Sequence, residues 1–202
     1  MTLLLPGDIK YLDVNGDKAI TDADRMIIGN GSPKAWGAFL NTFRYKNLDL
    51  TVELQYTYGN DVLDMTKHTM EDRIALDNSY RTVLDAWTPE NQNSMVPEIR
   101  NLMAGYVTNV DTRWIQDGSF IRGKNLLLGY TFPEYMTEKR SINSLRVFAS
   151  LQNFFLVTEY TSGDPEVAPA YGADSNNIFS QGQNFFAYPR PKTYRVGLQI
   201  GL

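Results

Sequence analysis

The 202-residue sequence contains no cysteine and a single histidine. The first absence removes disulfides, thiolate metal sites and cysteine nucleophiles together. The second removes the paired-histidine metal sites. No apolar run exceeds four residues, Phe154 to Val157 and Phe185 to Tyr188 being the longest. A membrane-spanning helix needs about 20 apolar residues, so none is written here. Met1 to Pro6 lacks a charged n-region and is too short in apolar residues for a signal peptide. Excess positive charge is also missing: 19 Lys and Arg stand against 23 Asp and Glu, a formal charge of -4. That balance argues against a nucleic-acid binder, which would show a basic patch or stripe. No glycine-rich phosphate loop, nucleophile elbow or Cys/His cluster appears.

What the sequence does have is aromatic residues, 12 Tyr, 10 Phe and 3 Trp, too many for a disordered chain. From Leu48 they join a period of two. Leu48, Leu50, Val52, Leu54, Tyr56 and Tyr58 point one way, and Asp49, Thr51, Glu53, Gln55 and Thr57 the other. The same alternation predicts strands at about 35–45, 48–59, 119–132, 144–157 and 191–202. In the third, Arg122 and Lys124 fall on the face of Leu126, Leu128 and Tyr130; in the fourth, Phe148 breaks the pattern. Arg146 and Arg195 are expected on the polar face. The connections alternate in length. Those at 46–47 and 133–144 are short; those at 60–118 and 158–190 are long, the first with two short helices. Transmembrane barrels alternate in this way, with short periplasmic turns and long outer loops, and strands of about 9–11 residues suffice to cross. The expected fold class is all-β, an antiparallel up-and-down set of strands forming part of a large transmembrane barrel, with residues 1–34 as a separate outer segment and 35–202 as wall and loops.

Asp13 to Asp24 carries the most specific local signal. An EF-hand-type loop places oxygen ligands at its positions 1, 3, 5, 7, 9 and 12. Here these are Asp13, Asn15, Asp17, the Ala19 carbonyl, Thr21 and Asp24, a set suited to a structural Ca²⁺. Lys18 stands at the sixth position, where glycine is usual, so its backbone is expected at positive φ. Asp24 is shorter than the usual bidentate Glu, and the affinity expected is toward about 10⁻⁴–10⁻³ M. The competing reading is a loop held by Asx-turns, since Asp and Asn bond their own backbone.

Trp87, Tyr106, Trp114 and Tyr171 lie in outer connections, where exposed aromatics would stack on sugar rings; packing within the loops is the alternative. His68 reads as a solvated helix residue. Asp61, Asp64, Glu71, Asp72 and Asp77 include acids that a glycosidase could pair, but a solvated helix face explains them without catalysis.

Several segments resemble, in order, SusC/RagA-type TonB-dependent outer-membrane transporters. They are Pro6-Gly7-Asp8-Ile9-Lys10-Tyr11 running into the 13–24 loop and Ile28-Gly29-Asn30; Trp87-Thr88-Pro89-Glu90-Asn91; Asp117-Gly118-Ser119-Phe120-Ile121-Arg122 with Lys124-Asn125-Leu126 and Gly129-Tyr130; Ser144-Leu145-Arg146-Val147 with Gln152-Asn153; Asp164-Pro165-Glu166-Val167; and Tyr188-Pro189-Arg190-Pro191-Lys192-Thr193-Tyr194. The resemblance implies a barrel of about 22 strands with a plugged lumen, of which this chain matches the last five or so. It also implies import of glycans or peptides, a SusD-like surface lipoprotein partner, energy from TonB, an outer-membrane location and no enzymatic activity. The alternative is a soluble, secreted, Ca²⁺-stabilised β-domain that binds carbohydrate.

Overall fold

The computed structural model describes residues 5–71, 78–99, 110–137, 142–167 and 181–201. Its strands are β1 (Ala35–Tyr45), β2 (Leu48–Tyr58), β3 (Asp61–Asp64), β4 (Ile115–Asp117), β5 (Phe120–Thr131), β6 (Ser144–Thr158), β7 (Gln183–Asn184) and β8 (Thr193–Gly201). Two short α-helices, α1 (Met65–Glu71) and α2 (Glu134–Thr137), and 3₁₀ turns at Asp22–Asp24, Arg81–Asp85 and Thr112–Trp114 complete the described elements.

The five long strands form one antiparallel sheet in the order β1-β2-β5-β6-β8. Sequence neighbours pair because the two-residue Lys46-Asn47 turn and the 132–143 segment return the chain directly. Lys46 takes the positive φ of 52° that the tight turn demands. Asn47 then ties the turn to the next strand, its Nδ2 donating to the Thr131 carbonyl at 2.6 Å.

Register shows which residues share a face. One face runs Phe43, Leu50, Leu128, Ala149 and Val196, with Tyr45, Leu48, Tyr130, Val147 and Leu198 below it. These side chains have no covering layer: Phe43, Leu128, Leu198 and Ile200 are each at least half exposed. The opposite face is largely polar. Thr42 and Thr51 hydroxyls meet at 3.2 Å, and Arg146 Nη2 binds Asp49 Oδ2 at 2.6 Å. Arg146 also lies over the Phe148 ring at 5.6 Å.

Two irregularities in the alternation now have causes. Leu54 pairs Gly123 whereas Glu53 pairs Asn125, so Lys124 is an extra residue, a β-bulge. The bulge inverts the side-chain parity. Arg122 therefore lies opposite Gln55 on the polar face, not with Leu126 as simple alternation predicts. Lys124 turns the same way and donates from Nζ to Gln55 Oε1 at 2.6 Å. On β6, Asn153 accommodates the mismatch at φ 51°. Phe148 also belongs to the polar face, where its ring lies over Gly197. A side chain at that glycine would collide with the ring.

The buried apolar residues sit elsewhere. Val62, Val83, Ala86, Trp114, Phe120 and Tyr160 form a small core at the end of the sheet where the long connections gather. A second sheet in the order β4-β3-β7 builds this cap, with β3 and β7 parallel. Residues 5–34 join it: Asn30 and Asp61 exchange backbone and carboxylate hydrogen bonds at 2.8 Å, and Lys34 N–H extends the ladder to the Tyr58 carbonyl at 2.9 Å.

Candidate functional site

The cap is where the chain gathers its unusual chemistry. Three segments far apart in sequence meet there, Phe120-Ile121-Arg122-Gly123-Lys124 from β5, Asp164-Pro165-Glu166 from the connection after β6, and Arg190 just before β8. The β5 bulge aims Arg122 and Lys124 inward. The Arg122 guanidinium, 2% exposed, bonds the Asp164 carboxylate, 5% exposed. Asp164 also accepts the Glu166 N–H at 3.0 Å and the Arg190 N–H at 3.1 Å. Glu166 Oε1 lies 3.0 Å from Arg190 Nη2 and 3.8 Å from Lys124 Nζ. The assembly is a clasp. It ties both roots of the connection between β6 and β8 to the polar face of the sheet. It holds no nucleophile or general base poised against a cleft, and the sequence pattern did not anticipate it because its partners are 42 positions apart.

Beside the clasp lies a second buried polar group. Asp64 is fully enclosed; its oxygens accept the Lys67 N–H at 3.0 Å and Gln116 Nε2 at 2.8 Å. Tyr160 O–H lies 2.5 Å from Asn184 Nδ2, which donates to it. Burial, then the Asp64 charge, pushes the Tyr160 phenol above the usual tyrosine range. Tyr80 is raised by burial first and then by Asp64 and Glu71. Glu71 accepts the Thr82 hydroxyl at 2.5 Å and Asp61 accepts the Asn30 N–H. The described acids of this segment are thus engaged in holding the cap, while Asp72 and Asp77 lie outside the described residues. A cleft of about 720 Å³, lined in part by Tyr80, Asn184, Phe186 and Tyr188, opens above this group.

The aromatic residues singled out from sequence go to different places. Trp114 is 1% exposed, enclosed between the Arg113 guanidinium at 4.5 Å and the His68 ring at 5.2 Å. It is a core residue of the cap, and the ligand-stacking expectation is corrected there. The same contact corrects His68, which packs on an indole rather than standing in solvent. Trp87 is half-buried; its indole lies against Gly7, where a Cβ would come within 2.7 Å of Cε3. Together with the Glu98 N–H bond to the Gly7 carbonyl at 3.0 Å, it fastens the start of the chain to the cap. Tyr106 and Tyr171 lie outside the described residues.

In the 13–24 loop, Lys18 adopts φ 66°, as the sixth position of such a loop demands. Asp13 accepts the N–H groups of Gly16 at 2.6 Å and Lys18 at 2.8 Å; Asp17 accepts that of Ala19 at 2.8 Å. Asp24 accepts those of Val14 and Thr21 at 2.9 and 2.7 Å. The Thr21 and Val14 bonds, in that order, hold the Asp24 carboxyl below the usual carboxylate range. The donor types suit Ca²⁺, but these oxygens bind the loop's own backbone. Among the described residues no three His, Cys, Asp or Glu side chains are gathered closely enough to hold a metal ion.

No family model matches the chain. It is 32% identical over 195 residues to TonB-dependent receptor P3 of Formosa agariphila, a match covering 96% of this chain and 19% of that protein. To TonB-dependent receptor SusC of Bacteroides thetaiotaomicron it is 24% identical over 200 residues, 96% of this chain and 18% of SusC. The solved RagAB peptide importer in its open-open state aligns with a TM-score of 0.74 at 26% identity, over 95% of this chain and 20% of that one. The RagAB peptide transporter aligns at 0.69 and 27%, over 86% and 18%. The chain spans about a fifth of the length of the relatives it matches.

Proposed function

We propose that this chain, a homologue of one-fifth of the SusC-like TonB-dependent receptors, is wall and outer-loop material of such a transporter in the cell outer membrane. The observation that carries the reading is the uncovered apolar face of the five-stranded sheet, backed by a polar face and, among the described residues, capped at one end only. A soluble sandwich would bury that face against a second sheet. Lipid leaves it where it is and supplies the missing layer.

Lipid cannot, however, satisfy backbone groups. β1 and β8 each pair on one side only among the described strands, and their open edges need protein partners in a bilayer. Because the sheet holds five strands, β1 and β8 run in the same direction. An even-numbered antiparallel barrel then requires an odd number of further strands between them. The isolated chain is accordingly expected to transport nothing. In the whole transporter, the capped end faces outside, toward the substrate and a SusD-like lipoprotein, while TonB engages elements elsewhere. The polar face lines the lumen. Imported glycans or peptides are the substrate class, and no enzymatic step is assigned. The 13–24 loop is proposed to take Ca²⁺ weakly at its outer position, supported by its donor order and the Lys18 conformation; binding would require Asp13, Asp17 and Asp24 to turn toward one point.

The test is detergent dependence. Purified chain is expected to associate or precipitate without detergent and to add no permeability to liposomes. A monomeric, detergent-free protein that unfolds cooperatively would establish the soluble β-domain instead.

A further inference from the structure

Phe186 has a backbone conformation that its own chemistry opposes. It stands at φ 52°, in the left-handed region that a bulky side chain enters only under strain. Neighbours impose the conformation. Its N–H donates to Thr66 Oγ1 of α1 at 2.6 Å, and the next N–H, of Ala187, donates to Asn184 Oδ1 at 3.1 Å. Asn184 is 2% exposed and anchored to Tyr160. The reward for this strain is not burial: the Phe186 ring remains 48% exposed, edge-to-face with Phe185 at 5.0 Å. Strain held by surrounding structure clusters at ligand sites. Here it presents an aromatic ring to the cleft.

The cleft's other walls specify what would fit. Its volume, about 720 Å³, lies within the usual range of small-molecule sites. Tyr80 and Tyr188 also line it, Tyr188 being 94% exposed. Lys67 and Arg81 supply two cations, neither with an ion-pair partner among the described residues. Among the described residues the single lining carboxylate, Glu71, is 9% exposed and already accepts Thr82. Ring faces beside cations that no described carboxylate pairs suit a flat-faced ligand carrying an acid. An extended peptide would instead seek main-chain bonds along a strand edge, and β7, the strand at this cleft, is two residues long.

We propose that this cleft is a subsite for an acidic sugar, a pyranose ring stacked on Phe186 or Tyr188 with its carboxylate or sulfate against Lys67 and Arg81. The proposal rests on reading the capped end as the substrate-facing surface.

The chain refolded in detergent, with tryptophan fluorescence of a Trp36→Phe, Trp87→Phe background, which leaves Trp114, as the folding control, is titrated calorimetrically with a glucuronic-acid disaccharide, galactose 6-sulfate, maltose and tetraglutamate. One or both acidic sugars are expected to bind at least about tenfold tighter than maltose and tetraglutamate, and the two arms distinguish carboxylate from sulfate. At least one of Tyr188→Ala and Phe186→Gly should weaken binding about tenfold, and the proposal fails if neither does. Phe186→Gly should melt close to the parent, because relief of the left-handed strain offsets glycine's larger unfolded-state entropy and the lost contact with Phe185. Maltose binding as tightly as the acidic sugars, or tetraglutamate binding more tightly, overturns the proposal. So does a Phe186→Gly variant that melts far lower, which would give the ring a packing role. Failure of binding in a chain that still requires detergent leaves the wall assignment standing; a detergent-free monomer removes that assignment whatever it binds.

Discussion

Arg122 and Asp164 form an ion pair inside the cap with almost no contact with solvent, although one belongs to a wall strand and the other to a long connection. A buried pair is costly to desolvate, so its net worth is small. Removing Asp164 leaves the Arg122 charge enclosed with only Glu166, whose Oε2 lies 3.5 Å from Arg122 Nε, to compensate it, at up to about 3–5 kcal/mol. Asp164→Asn is expected to destabilise the cap by that order. It should also free the Glu166 and Arg190 amides, which lose a charged acceptor. Hydrogen exchange at those two amides should accelerate more than at Thr161, which bonds Gln116. Equal acceleration at all three would mean general loosening, and the clasp would have no separate existence.

Tyr160 predicts an alkaline limit. Its pKa is raised in the folded cap, by burial first and then by Asp64, so the folded state holds the phenolic proton more tightly than the unfolded chain does. The resulting stabilisation is fully present below the ordinary tyrosine pKa of 10.0 and is lost as pH rises through the folded value. Thermal midpoints of the parent should therefore fall above pH 10, and Tyr160→Phe should flatten that dependence. A Tyr160→Phe variant with the same alkaline slope would assign the loss to other groups.

The five wall strands were legible in the sequence because each is long enough for a period of two to repeat several times. Leu48 to Tyr58 needs no other information. Parity beyond Lys124 was not legible, since a bulge depends on what the partner strands do and leaves only one extra residue as its trace. The small sheet was hidden for a related reason: β3, β4 and β7 have two to four residues each, too few to establish a period, and they pair across intervals of 50 residues or more. The clasp residues stood within quoted motifs, yet only their convergence reveals Arg122 as a pinned charge. Trp114 shows the opposite limit, for an aromatic in a long connection looks the same in sequence whether it faces a ligand or fills a core.

The 13–24 loop has two readings that acid and Ca²⁺ can separate. Asp24 has a lowered pKa because it accepts the Thr21 and Val14 N–H groups. Its contribution to loop order is thus present above the ordinary carboxylate value of 3.8 and disappears as pH falls through the lower folded value. Amide shifts of Val14 and Thr21 should follow that single titration, and Asp24→Asn should abolish it. If the loop takes Ca²⁺, the same amides should shift on addition of about 10⁻⁴–10⁻³ M metal, and Asp13→Asn should remove the response. No shift up to about 10⁻² M, well beyond that range, would leave the turns as the loop's whole explanation.

Val52 and Thr51 are neighbours with opposite surroundings, and they test the wall directly. Val52 pairs with Leu126 on the uncovered apolar face; Thr51 bonds Thr42 on the polar one. In a bilayer, a lysine on the lipid face near mid-depth costs about 2–4 kcal/mol, while the lumen side tolerates charge. Grafted in place of the corresponding stretch of SusC, the parent segment is expected to give a heat-modifiable barrel in outer-membrane fractions. Val52→Lys should reduce the folded fraction sharply, and Thr51→Lys should leave it nearly unchanged. The contrast depends on which face meets lipid, since both substitutions add the same charge to the same strand one residue apart. Equal losses would mean that neither face meets hydrocarbon, and a reversed order would put the polar face outward.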